Sequence, residues 1–191
     1  LPHMVEMLKK GDVLVGDRAF GNFAALALTL RKGAHMLARM KPQMIVSFVP
    51  HRPHSPRKGK RHKGKRHKPG MPKSRFVRHI AKREQVVMMT QPTQRSKTIS
   101  RQRFDALPDE IEVRETAYTI KKKGFRDEQV ILVSTLTDDE KYPKEEIVRL
   151  YGLRWQEEVN FRHLKQTLKM DILKGKSVDV VMKEIMLHCI C

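Results

Sequence analysis

The stretch YGLRWQEEVNFRHLK, residues 151–165, decides how this chain is read. An α-helix turns about 100° per residue, so with Tyr151 at 0° the wheel puts Arg154 at roughly 300°, Glu158 at roughly 340° and Lys165 at roughly 320°. These four residues share an arc of about 60°, with Arg162 close by at about 20°. Glu157 points about 100° away from Glu158. Leu150, Leu153, Phe161, Leu164 and Leu168 form a second stripe, at roughly 200–280°. The leucine face is expected to bury. The face beside it holds one acid among cations and an aromatic ring.

Working outward, Pro143 with Glu145 and Glu146 in the next turn marks the start of that helix, which the pattern carries to about Lys169. A last helix is expected over about Val178 to Ile190. Upstream, GDVLVGDRAFG places a short buried strand over Val13–Val15, closed by Gly16-Asp17. NFAALALTLRK (22–32) reads as a helix with Asn22 as N-cap and Gly33 as its stop. AHMLARM (34–40) reads as the next strand. This is a β-α-β pattern with an acid at the C-terminal end of its first strand, where open α/β sheets place their ligands. EQVVMMTQ (84–91), EIEVRETAYTIK (110–121) and EQVILVSTL (128–136) are alternating or β-branched and read as strands.

The net charge of +19 is unevenly placed. From Arg18 to Arg83 there is no acidic residue and there are 19 Lys and Arg, while the remaining 21 basic residues balance 21 acids. Residues of about 51–74, HRPHSPRKGKRHKGKRHKPGMPKS, are low in complexity and read as a disordered basic arm. A polyanion, nucleic acid above all, is the natural partner of such a block; a solvated loop without a partner is the plain alternative. The histidines in its repeated KGKRHK do not suggest a metal site, since the local positive charge repels a cation. No apolar run is long enough to span a bilayer, and no signal peptide is visible. Cys189 and Cys191 form neither a disulfide framework nor a zinc spacing, which points to a reducing, intracellular setting.

A strand-end acid and a helical acid can meet at a metal site. Mg²⁺ prefers carboxylate oxygens and binds phosphate oxygens, and a pair of such ions can activate an attacking hydroxyl and stabilise a leaving oxygen. Cations around Glu158 would bind neighbouring phosphates and keep the carboxylate ionised. Each feature has an ordinary structural alternative: Asp17 as a turn residue, the helix as a salt-bridged surface.

Tyr151, two residues, Arg154, three residues, Glu158, six residues and Lys165 resemble the Y-(2)-R-(3)-E-(6)-K signature of DDE-class insertion-sequence transposases related to the insertion sequence four group. GDRAFGNF (16–23) is similar to that group's motif around its second catalytic Asp. The resemblance implies an α/β fold, a ribonuclease H-like catalytic core interrupted by a basic, β-rich insertion. Residues 1–43 and 138–191 would belong to the core and 44–137 to the insertion. It implies DNA cleavage at transposon ends and strand transfer into target DNA, with Mg²⁺ or Mn²⁺. Asp17 and Glu158 would be the second and third metal-binding, catalytic acids. Tyr151, Arg154 and Lys165 would bind phosphates of the DNA. Arg162, near the same face, could touch DNA or form a surface salt bridge. A homodimer in a synaptic complex and a place in the bacterial cytoplasm, at the nucleoid, follow from the same resemblance.

Trp155 is expected to pack in the core, with stacking on a DNA base as the alternative. The insertion has no Trp, only Phe48, Phe76, Phe104, Tyr118 and Phe125, so no aromatic is assigned to holding a flipped base. The family's first catalytic Asp lies well upstream of the second, and Asp12 cannot replace it. The expectation is therefore that this polypeptide is a transposase fragment that does not cut DNA by itself. The alternative function is a non-catalytic, basic nucleic-acid-binding protein, which leaves the helical spacing unexplained.

Overall fold

Residues 13–40 fold as one β-α-β unit because an alanine- and leucine-rich helix joins two short apolar strands. The computed structural model describes residues 2–55, 71–95, 99–120, 128–167 and 174–190. Helix α1 (Pro2–Glu6) leads into strand β1 (Val13–Gly21). Helix α2 (Phe23–Arg31) begins at Asn22, whose side chain accepts a hydrogen bond from the Ala25 amide, as an N-cap should. It stops at Gly33, which takes φ +71° and donates its amide to the Leu30 carbonyl. Strand β2 (His35–Met40) then pairs parallel with β1.

Strands β3 (Arg75–Ala81) and β4 (Glu84–Thr90) form a hairpin. Helix α3 (Arg101–Asp105), capped by Ser100, precedes strands β5 (Glu110–Ile120) and β6 (Glu128–Ser134). Helices α4 (Lys144–Thr167) and α5 (Val178–Ile190) complete the chain. The six strands make one mixed sheet in the order β1-β2-β6-β5-β4-β3. Only β1 and β2 are parallel; every other pair is antiparallel. Two compact units result, Leu1–Val148 with the whole sheet and Arg149–Cys191 with most of α4 and all of α5.

The two faces of the sheet differ in chemistry. One face joins Met36, Ala38, Val87, Met89, Val113 and Val133 with Phe23 and Leu26 of α2 and with Phe104 and Leu107. The opposite face carries an ion pair in the interior. Arg114 and Glu84 are 1 % and 2 % exposed, and Nη2 of Arg114 lies 2.7 Å from Oε1 of Glu84. Thr116 also donates to that oxygen, and Nη1 of Arg114 donates to the Tyr142 carbonyl.

The ends of the basic stretch are ordered. The guanidinium of Arg52 donates to the Ser47 and Ser74 carbonyls and to the Ser74 hydroxyl, and the Ser55 amide donates to the Pro72 carbonyl. Ser74 and Gln85 donate in turn to the carboxylate of Glu115. Burial pushes the Glu115 carboxyl up from its ordinary value, against the opposing pull of Gln85, Arg52 and Ser74. The disorder expected of the arm at 56–70, including its KGKRHK repeats, lies outside the described residues. So do Phe125, Leu168 and the side chains of Trp155 and Leu164.

Three expectations are corrected. Strand β1 continues past Val15 to Gly21 instead of closing at Gly16-Asp17. The initial helix, which the sequence suggests up to residue 10, ends at Glu6. On α4 the described part of the leucine face does not fully bury: Leu153 is 47 % and Phe161 60 % exposed and Leu150 is half-buried, while Ile147 and Tyr151 are buried. A helical wheel separates two faces but does not say which one is buried, and here Ile147 and Tyr151 are.

Removing one partner of a buried ion pair strands the other charge. Glu84→Ala should lower the unfolding free energy by about 3–5 kcal/mol, read from the midpoint of urea denaturation. Glu115 gives a signature in pH. Its folded pKa is raised, so its contribution is fully present below the unfolded carboxylate value and is lost as pH rises through the folded value. Wild-type protein should lose stability upward from about pH 4.5 in a component that Glu115→Gln lacks. Parallel stability–pH curves for the two proteins would contradict this.

Candidate functional site

The stretch GDRAFGN is held by two close approaches. Regular pairing of β1 with β2 runs to Gly16↔Ala38 and resumes only at Gly21↔Met40, so the residues between bulge out of the ladder. A Cβ on Gly16 would lie 2.8 Å from Cβ of Phe20. A Cβ on Gly21 would lie 2.3 Å from the Arg39 carbonyl oxygen, which belongs to backbone and cannot move aside. Asn22 ties the far end, donating to the Ala19 carbonyl at 2.8 Å while capping α2. The bulge points Asp17 outward: its carboxylate is exposed, and Oδ1 accepts from the Ala19 amide at 2.8 Å. Among the described residues Oδ2 has no partner. Arg18 and Arg39 both reach Glu128 at the start of β6, at 3.6 Å for Arg18 and in a short ion pair for Arg39.

On α4 the signature face exists as the wheel implies. Tyr151 is 6 % exposed, and the guanidinium of Arg154 lies over its ring, 5.2 Å from the centroid. Nη1 of Arg154 donates to Oε1 of Glu158, four residues on, in a short ion pair. Among the described residues neither the Tyr151 hydroxyl nor Nε of Arg154 finds a hydrogen-bond partner, although both atoms are buried. Burial works against the charge on Arg154, but Glu158 and the Tyr151 oxygen outweigh it and hold the guanidinium charged. One turn further, Glu158, Phe161, Arg162, Lys165 and Gln166 line a shallow, open hollow. Arg162 and Lys165 are exposed on it.

Tyr151, Arg154 and Glu158 are therefore in contact, and Arg162 and Lys165 join Glu158 along the same side. Phe161, which the wheel placed in the burying stripe, lines the hollow instead. Its position at about 280° borders the signature arc, the only sequence signal that could have flagged it. The role of Arg39 was not legible, because Glu128 lies far along the chain. An i,i+4 ion pair of this kind contributes about 0.3–0.5 kcal/mol, less where solvent screens it. The bond between Arg154 and Glu158 is thus easily exchanged.

Both carboxylates offer the hard oxygen donors that Mg²⁺ takes, and Mg²⁺ is commonly held by one or two carboxylates plus water and phosphate oxygens. Asp17 keeps one oxygen free for such a bond, and Glu158 must first leave Arg154. Among the described residues no group of three or more His, Cys, Asp or Glu gathers as a metal site. No helix among them is long and apolar enough to cross a membrane.

An exposed carboxylate on a bulge of a parallel strand and an acid set among cations on a helix are features compatible with metal-dependent chemistry on phosphodiesters. A family model described as the transposase DDE domain matches residues 1–191. The chain belongs to that family of DDE transposases, which are polynucleotidyl transferases acting on DNA with a ribonuclease H-like α/β fold. No curated protein and no solved structure matches it significantly.

Replacing Gly21 forces a backbone collision rather than a side-chain adjustment. Gly21→Ala should destabilise the protein by about 1–3 kcal/mol, as overpacking does, measured by urea denaturation. An unchanged midpoint would mean that the bulge around Asp17 is loosely held.

Proposed function

We propose that this chain carries the second and third catalytic acids of an insertion sequence four-like DDE transposase, an enzyme that cleaves DNA at transposon ends and transfers the strand, and that without the first acid it does not cut DNA by itself. The contact of Tyr151, Arg154 and Glu158 on one helix face, at the signature spacing, carries this reading. Asp17 and Glu158 act as metal-binding catalytic carboxylates, with Mg²⁺ or Mn²⁺ as the ion. When bound, the ion supplies Lewis-acid activation of a phosphodiester. Tyr151, Arg154 and Lys165 hold phosphate oxygens of the transposon end, and Arg162 extends that contact along α4. Exposure of Asp17, Arg162 and Lys165 supports these roles, since DNA must reach them. In the same reading residues 1–43 and 138–191 form the core and 44–137 its insertion, and the enzyme works as a homodimer on paired transposon ends.

Among the described residues no group of three or more His, Cys, Asp or Glu gathers at Asp17 or at Glu158, so binding is a better test than turnover. Mn²⁺ binding by the 191-residue chain, followed by the electron spin resonance of free ion, should weaken at least about tenfold in Asp17→Asn and in Glu158→Gln. Binding of a DNA duplex should persist in Asp17→Asn. Lys165→Ala should reduce the slope of log K against log salt by about one, the effect of losing one phosphate contact. Mn²⁺ binding indifferent to both acids, with salt slopes unmoved at Lys165, would sink the proposal and leave a basic DNA-binding protein acting through other residues.

A further inference from the structure

Arg154 has one guanidinium and two prospective anionic partners. In the free protein Glu158 holds it through Nη1, while Nε remains buried without a partner. The Tyr151 oxygen beside it, in a side chain 6 % exposed, is also buried and helps hold the guanidinium charged without a well-formed hydrogen bond. Two buried donors at one spot without a well-formed hydrogen bond are unusual, because an unsatisfied buried polar group is costly. A phosphate drawn to the guanidinium, whose side chain is 21 % exposed, would compete with Glu158 for it. A diester also matches the guanidinium fork and can take two parallel N–H bonds, which a single Glu158 oxygen on Nη1 does not.

We propose that Arg154 is an exchange residue: it holds Glu158 in the DNA-free protein and passes to a backbone phosphate when DNA arrives, releasing the carboxylate for metal. The inference rests on the reading of Glu158 as a metal ligand and adds an order to it. Before DNA binds, Glu158 is occupied by a cation of its own chain, so metal loading is disfavoured. Once a phosphate holds Arg154, the acid is free. By linkage the effect is reciprocal: whatever draws Glu158 away from Arg154 improves the binding of phosphate. The i,i+4 geometry suits such an exchange, since the bond is weak enough to give way and close enough to reform.

Two matched comparisons test it, both on the 191-residue chain with helix content checked by circular dichroism. Arg154→Ala and Arg162→Ala each remove one positive charge one turn from Glu158, but only the first breaks a bond to it. Without DNA, Arg154→Ala should tighten Mn²⁺ binding about two- to threefold beyond the change in Arg162→Ala, the value of a freed i,i+4 pair. Glu158→Gln and Glu157→Gln likewise remove one negative charge each, and only the first frees Arg154. A metal-free DNA duplex should bind Glu158→Gln about two- to threefold more tightly than Glu157→Gln, and this excess should vanish when Arg154 is also Ala.

Equal changes within each matched pair overturn the exchange, as does an excess that survives without Arg154. The proposed function fails separately, if Mn²⁺ binding proves indifferent to Glu158 altogether. The exchange fails while that function stands if Glu158 governs Mn²⁺ binding and Arg154→Ala behaves like Arg162→Ala.

Discussion

Strand β2 is the joint on which the architecture depends. It alone pairs parallel on one side, with β1, and antiparallel on the other, with β6. Met36, Leu37 and Ala38 are fully buried there. The side-chain period of a strand is two, so a slip of one residue would send Leu37 to the face of Met36 and break both cores at once. The antiparallel side is locked further by Thr135, whose hydroxyl accepts from the Met36 amide and whose own amide donates to the Met36 carbonyl. With β2 held from that side, its Arg39 carbonyl stands where only a glycine can pass, and the bulge that turns Asp17 outward follows from that constraint.

What could be read from the sequence follows from where each signal resides. Helix α2 was legible because its cap, its apolar residues and its terminating glycine lie within a dozen positions. Strands β4, β5 and β6 were legible because they are buried and rich in β-branched residues. Strand β3 was not: as an outer strand it exposes Arg75, Arg78 and His79 and is interrupted by register shifts, so its charges hide the period. Helix α3 has five residues, too few for a periodic signal. The bulge at Asp17 depends on Arg39, and no local pattern announces a neighbour in another strand. On α4 the wheel separates two faces, yet burial of the helix is decided by what surrounds it, and Leu153 and Phe161 of the stripe expected to bury are exposed.

The acid-free stretch from Arg18 to Arg83 is less uncompensated than its composition suggests. Arg52 and Arg78 find acids contributed from beyond it: Glu115 faces Arg52, and Asp139 lies 2.7 Å from Arg78. Arg39 and Arg18 are met by Glu128 in the same way. These pairings tie the basic third of the chain to strands that follow it. A buried carboxyl such as that of Glu115 is a poor source of net stability, since desolvation offsets the attractions it makes. Its effect here is on register, because Glu115 satisfies Gln85 and Ser74 only when β4 and β5 align Gln85 with Glu115.

The same physics separates the interior pair from the one on α4. Arg114 and Glu84 are sealed from water, and neither can leave the other without stranding a charge. Arg154 is 21 % exposed and Glu158 48 %, so water can take over either partner at little cost. One pair is therefore structural and the other exchangeable, although both are an arginine with a glutamate. Sequence spacing alone does not distinguish them. The distinction comes from the depth of each carboxylate, which seals the interior pair and leaves the pair on α4 open to competition.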